Sequence, residues 1–269
     1  MINAKTLTAV ILTWNEEANI GRTLSRLGWL ETVIVVDSGS TDKTLDLVLS
    51  FPNTTLFNRS FDTHAQQWNY GLSLCESEWV LSLDADYILT DEFIAETKQY
   101  LAEKNVRAYN AWFEFLVFGK ALKGNNTTPR PVLFRKTHCM YYDEGHTQRL
   151  KIKGDSGNYK AKILHDDRKP LSRWLYNQAA YSQKEADMLV QTTGGLSFTS
   201  KLRKMQLLAP VFIFLYCLFI KGMIFNGWRG WHYTLQRTIV EMLISMRLVE
   251  SKLHTDDDNP GSRIYRTDQ

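Results

Sequence analysis

The densest chemical signal in the chain is the segment Trp79-Val80-Leu81-Ser82-Leu83-Asp84-Ala85-Asp86. Two carboxylates, one residue apart, leave an apolar run at its carboxyl end. In extended backbone residues i and i+2 point to the same side, so both acids can address one divalent cation, directly or through water. Oxygen donors of this kind suit Mg²⁺ or Mn²⁺, and a cation there can bridge a diphosphate and stabilise a leaving group. An acid-x-acid triplet alone is more often a solvated turn; ending a buried run makes it more specific. A second signal is Asp37, which ends the run Val33–Val36 and is followed by Ser38-Gly39-Ser40-Thr41-Asp42. This order makes a turn opening a helix, whose N–H groups face anions, and an acid so placed can accept hydrogen bonds from a base or ribose. A dinucleotide site would need GxGxxG after the first strand. The chain has Thr13-Trp14-Asn15-Glu16-Glu17 there, which disfavours nicotinamide chemistry.

These residues need a scaffold that brings the ends of several strands together, and the apolar pattern supplies one. Leu7–Leu12, Val33–Val36, Thr54–Phe57 and Trp79–Leu83 read as strands, while Ala18–Leu27, Thr44–Leu49, Gln66–Cys75 and Glu92–Leu101 read as helices. Such alternation predicts βαβ units and a mostly parallel sheet with helices on both faces. Ligands of such sheets sit at the carboxyl ends of the strands, so the loops at 13–17, 37–42 and 84–87 should converge on one site. Beyond residue 105, Ala108–Phe118 is aromatic and extended, and Pro131–Arg135 and Lys160–Leu164 look like later strands. From Leu171 the chain reads mainly helical, with a break at Gly194-Gly195. The boundaries expected are a catalytic domain over 1–170, a helical extension over 171–255 and a flexible polar tail over 256–269.

Composition excludes several classes. With 44% hydrophobic and 23% charged residues the chain is neither disordered nor collagen-like. Its three cysteines, Cys75, Cys139 and Cys217, are far apart and lack CxxC spacing, so a disulfide framework or cysteine-based zinc site is out and a reducing, cytoplasmic compartment is expected. Residues 1–30 do not read as a signal peptide, because the short apolar run leads into Asn15-Glu16-Glu17 rather than a small-residue cleavage site. Residues 120–173 carry 13 Lys/Arg against 5 Asp/Glu, whereas residues 1–119 carry 8 against 16. Such a basic block is either a solvated face or a match for an anionic partner. It lacks the interleaved aromatic and basic residues of single-strand binders, which argues against nucleic acid. The most apolar stretch, Leu207–Ile220, is 14 residues long, short of the roughly 20 that span a bilayer. Basic residues at 201, 203, 204 and 221 and aromatics at 228, 231 and 233 flank it. That pattern predicts a shallow interfacial insertion rather than a core helix.

Taken in order, Val-Ile-Leu-Thr-Trp-Asn-Glu-Glu, Val-Asp-Ser-Gly-Ser-Thr-Asp and Leu-Asp-Ala-Asp resemble the inverting family-2 glycosyltransferases of GT-A fold. The likeness is strong over the first hundred residues. A weaker one, through Leu133-Phe134-Arg135-Lys136, His146, His165 and Trp174…Asn177…Tyr181, is to bacterial enzymes that add glucose to the inner-core heptose of lipopolysaccharide. The resemblance implies an α/β GT-A domain with a membrane-associating helical extension. It implies transfer of a hexose from a UDP-sugar to a lipopolysaccharide-core or other cell-envelope glycan or glycolipid, with Mg²⁺ or Mn²⁺. Thr13, Asn15 and Glu16 would line the nucleobase pocket, Asp37 and Ser38 would contact the nucleoside, Asp84 would face the nucleoside side of the donor and Asp86 the metal. Arg135 would neutralise the diphosphate. His165 is the candidate third metal ligand, although a lone histidine is as often structural.

Inversion also needs a general base for the acceptor hydroxyl. The inner-core enzymes carry His-Glu where this chain reads Gly145-His146-Thr147-Gln148, so the acid nearest in sequence, Glu144, is the first candidate, Asp143 the second and His146 the third. Tyr87 stands where relatives often have Glu. The alternatives are a polyprenyl-phosphate glycosyltransferase, sharing the donor site, and a catalytically impaired nucleotide-sugar-binding protein, which the missing pair permits. The expected location is the inner face of the bacterial cytoplasmic membrane, bound peripherally through anionic lipid.

Overall fold

In the computed structural model, residues 1–124, 128–144, 147–192, 194–195 and 197–257 are described, with backbone alone at 144, 147 and 255–257. The chain divides into two compact units, Met1–Lys169 and Pro170–Gln269.

The first unit is built on the runs that the apolar pattern marks as strands. β1 (Leu7–Thr13), β2 (Val33–Asp37), β3 (Thr54–Asn58) and β4 (Trp79–Asp84) lie side by side in the order β3-β2-β1-β4, all parallel. The intervening helices are α1 (Ile20–Leu24), α2 (Thr44–Leu49) and α3 (His64–Ser73). Both faces of these strands are covered, so successive residues are buried in opposite directions. Leu7, Ala9, Ile11, Val33, Val35, Leu81 and Leu83 enter one core, and Val10, Ile34, Val36 and Val80 enter the other, against Trp68 and Leu72 of α3. Gly71 lets α3 approach β1 closely: a Cβ there would sit 2.6 Å from Val10 Cγ1.

Past β4 the sheet ceases to be parallel. A short strand β5 (Tyr87–Leu89) and helix α4 (Asp91–Tyr100) lead to β6 (Ala108–Val117), the two-residue β7 (Lys120–Ala121) and β8 (Arg130–Arg135). β8 inserts between β4 and β6, antiparallel to both. β11 (Ser156–His165) runs parallel to β6 and antiparallel to β5. The sheet is thus mixed: its first half is wholly parallel, and in the second half β6 and β11 add one more parallel pair among antiparallel neighbours. Between β8 and β11 a hairpin of β9 (Cys139–Glu144) and β10 (Thr147–Ile152) forms a separate two-stranded sheet. It packs on α3 through Tyr141, Leu150 and Ile152, with Trp68 stacked on Tyr141 at 5.3 Å.

The second unit contains α5 (Leu171–Gln191), α6 (Phe198–Lys204), α7 (Leu208–Leu215) and α8 (Gly227–Asp257). Pro210 sits in the first turn of α7, where its missing N–H costs nothing. The apolar stretch continues as a π-helical turn, Tyr216–Ile220, and ends at Gly222, whose φ of +67° closes the helix in a conformation glycine adopts without strain. Arg203 of α6 is clamped between Glu185 of α5 (2.6 Å) and Glu241 of α8 (2.8 Å). Among the described residues no single helix is long and apolar enough to cross a membrane. One bent pair, Leu208–Ile220 and Met223–His254 with a 66° break, passes by length and composition together.

Candidate active site

Register places the chemistry. Thr13 lies opposite Asp37, and Leu12 opposite Asp84, so three strand ends and their loops meet at one edge of the sheet. The loop after β2 is built around Asp37, which is fully buried. One carboxylate oxygen accepts from Thr13 Oγ1 (3.0 Å) and the Ser40 hydroxyl; the other accepts from the N–H groups of Gly39 (2.8 Å) and Ser40 (2.7 Å). All of its acceptor positions are occupied. Asp37 therefore shapes the turn instead of offering a free carboxylate to a base or ribose, which corrects the role expected for it. Thr13, likewise buried, is spent on Asp37. Asn15, at φ +55°, accepts from Thr41 N (2.7 Å) and ties the first loop to the second. Ser38 accepts from Gln67 Nε2 of α3 (2.8 Å).

Glu16 joins this loop to the segment after β11. Its carboxylate accepts from Lys169 Nζ (2.8 Å) and Asn19 Nδ2 (2.9 Å), and burial raises its pKa in spite of the lysine. Lys169 in turn lies within the field of Asp86, and the acids Glu16, Asp167 and Asp86 outweigh its burial and hold its pKa high.

At the end of β4, Asp84 is solvent-exposed among charged neighbours, Asp86, His165 and Arg130. Desolvation and the neighbouring Asp86 raise its pKa, while a hydrogen bond from the Tyr87 hydroxyl and the charges of His165 and Arg130 oppose the shift. Asp86 is nearly buried. Its Oδ2 meets His165 Nε2 at 3.0 Å, and its Oδ1 is buried with no hydrogen-bond partner. Burial works against this carboxylate, but His165 and Lys169 prevail and keep its pKa low. A buried, ionised oxygen without a donor is costly unless a cation meets it. The residues present therefore fit a divalent cation held by Asp86 and His165. Among the described residues no three His, Cys, Asp or Glu side chains form a complete metal cage, so ligand oxygens from a bound substrate and water would have to complete one.

Beneath this pair Asp166 is wholly buried and accepts from Arg22 Nη1 (2.8 Å) and Arg168 Nε (2.8 Å), and its N–H reaches Asp86 O (3.2 Å). Thr23 of α1 holds the Ala85 carbonyl at 2.6 Å. The Asp84–Asp86 turn is thus fixed from both sides, which keeps the two carboxylates in place.

Arg135 is not with them. β8 is antiparallel to β4, so Arg135 pairs with Trp79 at the amino end of β4, far along the strand from Asp84. There it bridges Glu78, donates to Glu103 O (2.6 Å) and Val106 O (3.2 Å), and stacks on the Trp79 ring at 4.4 Å. The expected contact with a diphosphate is incompatible with that position. The cation at the correct end of β8 is Arg130, exposed and within the electrostatic field of Asp84 and Tyr87. Asp143 is also committed elsewhere: it accepts from Thr63 Oγ1 (2.8 Å) and Ala65 N (3.3 Å), capping α3. Glu144 ends β9 as backbone at the same edge as the loops, and His146 lies outside the described residues. Arg130, Lys169 and the Arg22–Asp166–Arg168 clamp escaped the sequence reading. The run Asp166-Asp167-Arg168-Lys169, two acids followed by two bases directly after a strand, was the visible signal for most of them.

An uncharacterized glycosyltransferase of Rickettsia bellii is 31% identical over 128 residues, covering 47% of this chain and 42% of that protein. The lipopolysaccharide core biosynthesis glycosyltransferase LpsC of Rhizobium meliloti is 33% identical over 90 residues, 32% of this chain and 33% of that protein. The matches thus span less than half the length of these curated relatives. Among solved structures, the mannosyltransferase PcManGT of Pyrobaculum calidifontis, in complex with GDP-Man and Mn²⁺, aligns with 94% of this chain and 88% of its own at 15% identity and TM-score 0.48. S. aureus TarS 1-349 in complex with UDP-GlcNAc aligns with 93% and 91% at 15% identity and TM-score 0.47. The model of the family described as "Glycosyl transferase family 2" matches residues 8–161, more than half of the chain, which carries the GT-A-like α/β arrangement; the chain belongs to this family.

Proposed function

We propose that the chain transfers a hexose, with inversion, from a UDP-sugar to a lipopolysaccharide-core or other cell-envelope glycan, with Mg²⁺ or Mn²⁺ at Asp86 and His165. The observation that carries this reading is the partnerless buried Oδ1 of Asp86, beside an imidazole, at the sheet edge where three loops converge. A cation bound there supplies charge to neutralise a departing diphosphate. The chain's own residues do the rest. The Thr13–Glu16 and Asp37–Asp42 loops form the nucleoside side, with Asp37 as the turn's internal frame. Arg130 and Lys169 bring further positive charge to the phosphates. Glu144, at the end of β9, takes the proton from the acceptor hydroxyl as its oxygen bonds to the anomeric carbon and the bond to UDP breaks.

The second unit adds a surface. Phe212, Leu215, Phe219, Ile220, Phe225 and Trp228 are exposed, the last two by more than four fifths of their area. Apolar groups so concentrated mark an interaction face, and a 66° bent pair suits shallow insertion into a bilayer on the inner side of the cytoplasmic membrane. The donor reading is tested by a panel of UDP- and GDP-sugars with and without Mn²⁺, scored by nucleotide release. Release confined to a UDP-sugar and dependent on the metal supports it; release from GDP-sugars alone contradicts it.

A further inference from the structure

The hairpin β9–β10 has two unlike faces. Tyr141, Leu150 and Ile152 turn inward onto α3. Strand alternation then sends Met140 and Tyr142 of β9 and Arg149 and Lys151 of β10 outward, followed by Lys153. All five are exposed. Register sets Tyr142 opposite Arg149 and Met140 opposite Lys151. The three cations stand two residues apart, about 7 Å per step, in a row that begins beside the paired ends Glu144 and Thr147 and leads away from them.

The end of β9 lies at the rim of the candidate active site. Asp143 accepts from Thr63 at the start of α3, Gln67 one turn later donates to Ser38, and the Tyr141 hydroxyl donates to Ser82, two residues before Asp84. A group reacting at Glu144 would therefore have the rest of its molecule pass along the cationic row. We propose that the outer face of β9–β10 is the acceptor track and that it selects a glycan bearing phosphate groups, Tyr142 packing on a sugar ring while Arg149, Lys151 and Lys153 meet the phosphates. This rests on the transfer reading above and names its acceptor class. A membrane surface is the other anionic partner to consider. The row favours the glycan because its cations are spaced in single file from the reacting end, and the only large hydrophobic side chains opposite them are Met140 and Tyr142, too small an area to anchor in a bilayer.

The probe is a deacylated, phosphate-bearing lipopolysaccharide core oligosaccharide, compared with the same oligosaccharide after dephosphorylation, with binding measured by calorimetry in the presence of UDP. The wild type should bind the phosphorylated form more tightly, by on the order of tenfold, since two or three exposed charge pairs contribute up to about 1 kcal/mol each. That preference should shrink with added salt. Lys151→Gln/Lys153→Gln should cut the preference by most of its size while binding the dephosphorylated form as before, and Lys5→Gln/Lys104→Gln, on exposed lysines elsewhere, should retain it in full. Thermal melting confirms that the variants are folded. A Lys151→Gln/Lys153→Gln protein whose preference for the phosphorylated glycan is undiminished overturns the proposal, as does one whose sole loss is of binding to phosphatidylglycerol vesicles. A wild type that turns over a UDP-sugar yet binds both glycans equally overturns the track and leaves the transfer reading standing.

Discussion

Two arginines on one strand separate chemistry from architecture at the residue scale. Arg130 and Arg135 bound β8, and the antiparallel direction of that strand sends them to opposite edges of the sheet. Arg135→Ala removes a buried guanidinium that satisfies two backbone carbonyls and stacks on Trp79. It should lower stability by about 1–3 kcal/mol, measured by denaturant unfolding, and leave the donor KM unchanged. Arg130→Ala should do the reverse, raising the donor KM several-fold with no loss of stability, because an exposed side chain adds little to the fold. A donor KM that rises for Arg135→Ala alone would return the diphosphate role to that residue. Sequence identified Arg135 as a cation in a strand of the right kind, but strand direction is a property of the sheet and leaves no trace in spacing. Asp37 is the complementary case. Its position was legible; its four-fold internal hydrogen bonding was not, since Ser40 and Gly39 had first to fold around it.

Among the elements, the runs Leu7–Thr13, Val33–Asp37 and Trp79–Asp84 were legible because strands buried on both faces read as unbroken apolar segments. The hairpin β9–β10 was missed, although Gln148, Leu150 and Ile152 alternate with Arg149, Lys151 and Lys153 as a half-buried strand should. The hairpin is also where the two candidate bases part. Asp143 caps α3, so Asp143→Asn should cost about 1 kcal/mol of stability, measured by denaturant unfolding, with transfer largely kept. Glu144→Gln preserves size and removes basicity; nucleotide binding should survive while transfer falls by about 10²-fold or more. If the large kinetic loss follows Asp143→Asn instead, the base is one residue earlier.

For the molecule as a whole, the two units make different demands. In the second, Arg203 neutralises both Glu185 and Glu241, so it is not free to meet anionic lipid as its place beside the apolar stretch suggested. Lys204 donates to Thr192 O, and Lys221 lies over Tyr233. Attachment to vesicles should therefore depend more on apolar area than on salt. Phe212→Asp/Phe219→Asp should abolish flotation with phosphatidylglycerol-containing vesicles while the protein stays folded; unchanged flotation would rule out this face as the anchor. Arg203→Met would remove the cation that Glu185 and Glu241 share, leaving Glu241 with Arg237 at 3.9 Å, and should destabilise the second unit by about 1–3 kcal/mol at neutral pH, read from its unfolding transition. The central claim concerns the first unit, and Asp86→Ala tests it most directly. Nucleotide release from UDP-sugar, titrated with Mn²⁺ after chelation, should be metal-dependent in the wild type and lower by orders of magnitude in a folded Asp86→Ala variant at every metal concentration. Equal turnover by the two proteins in EDTA would contradict a cation at Asp86 and the mechanism built on it.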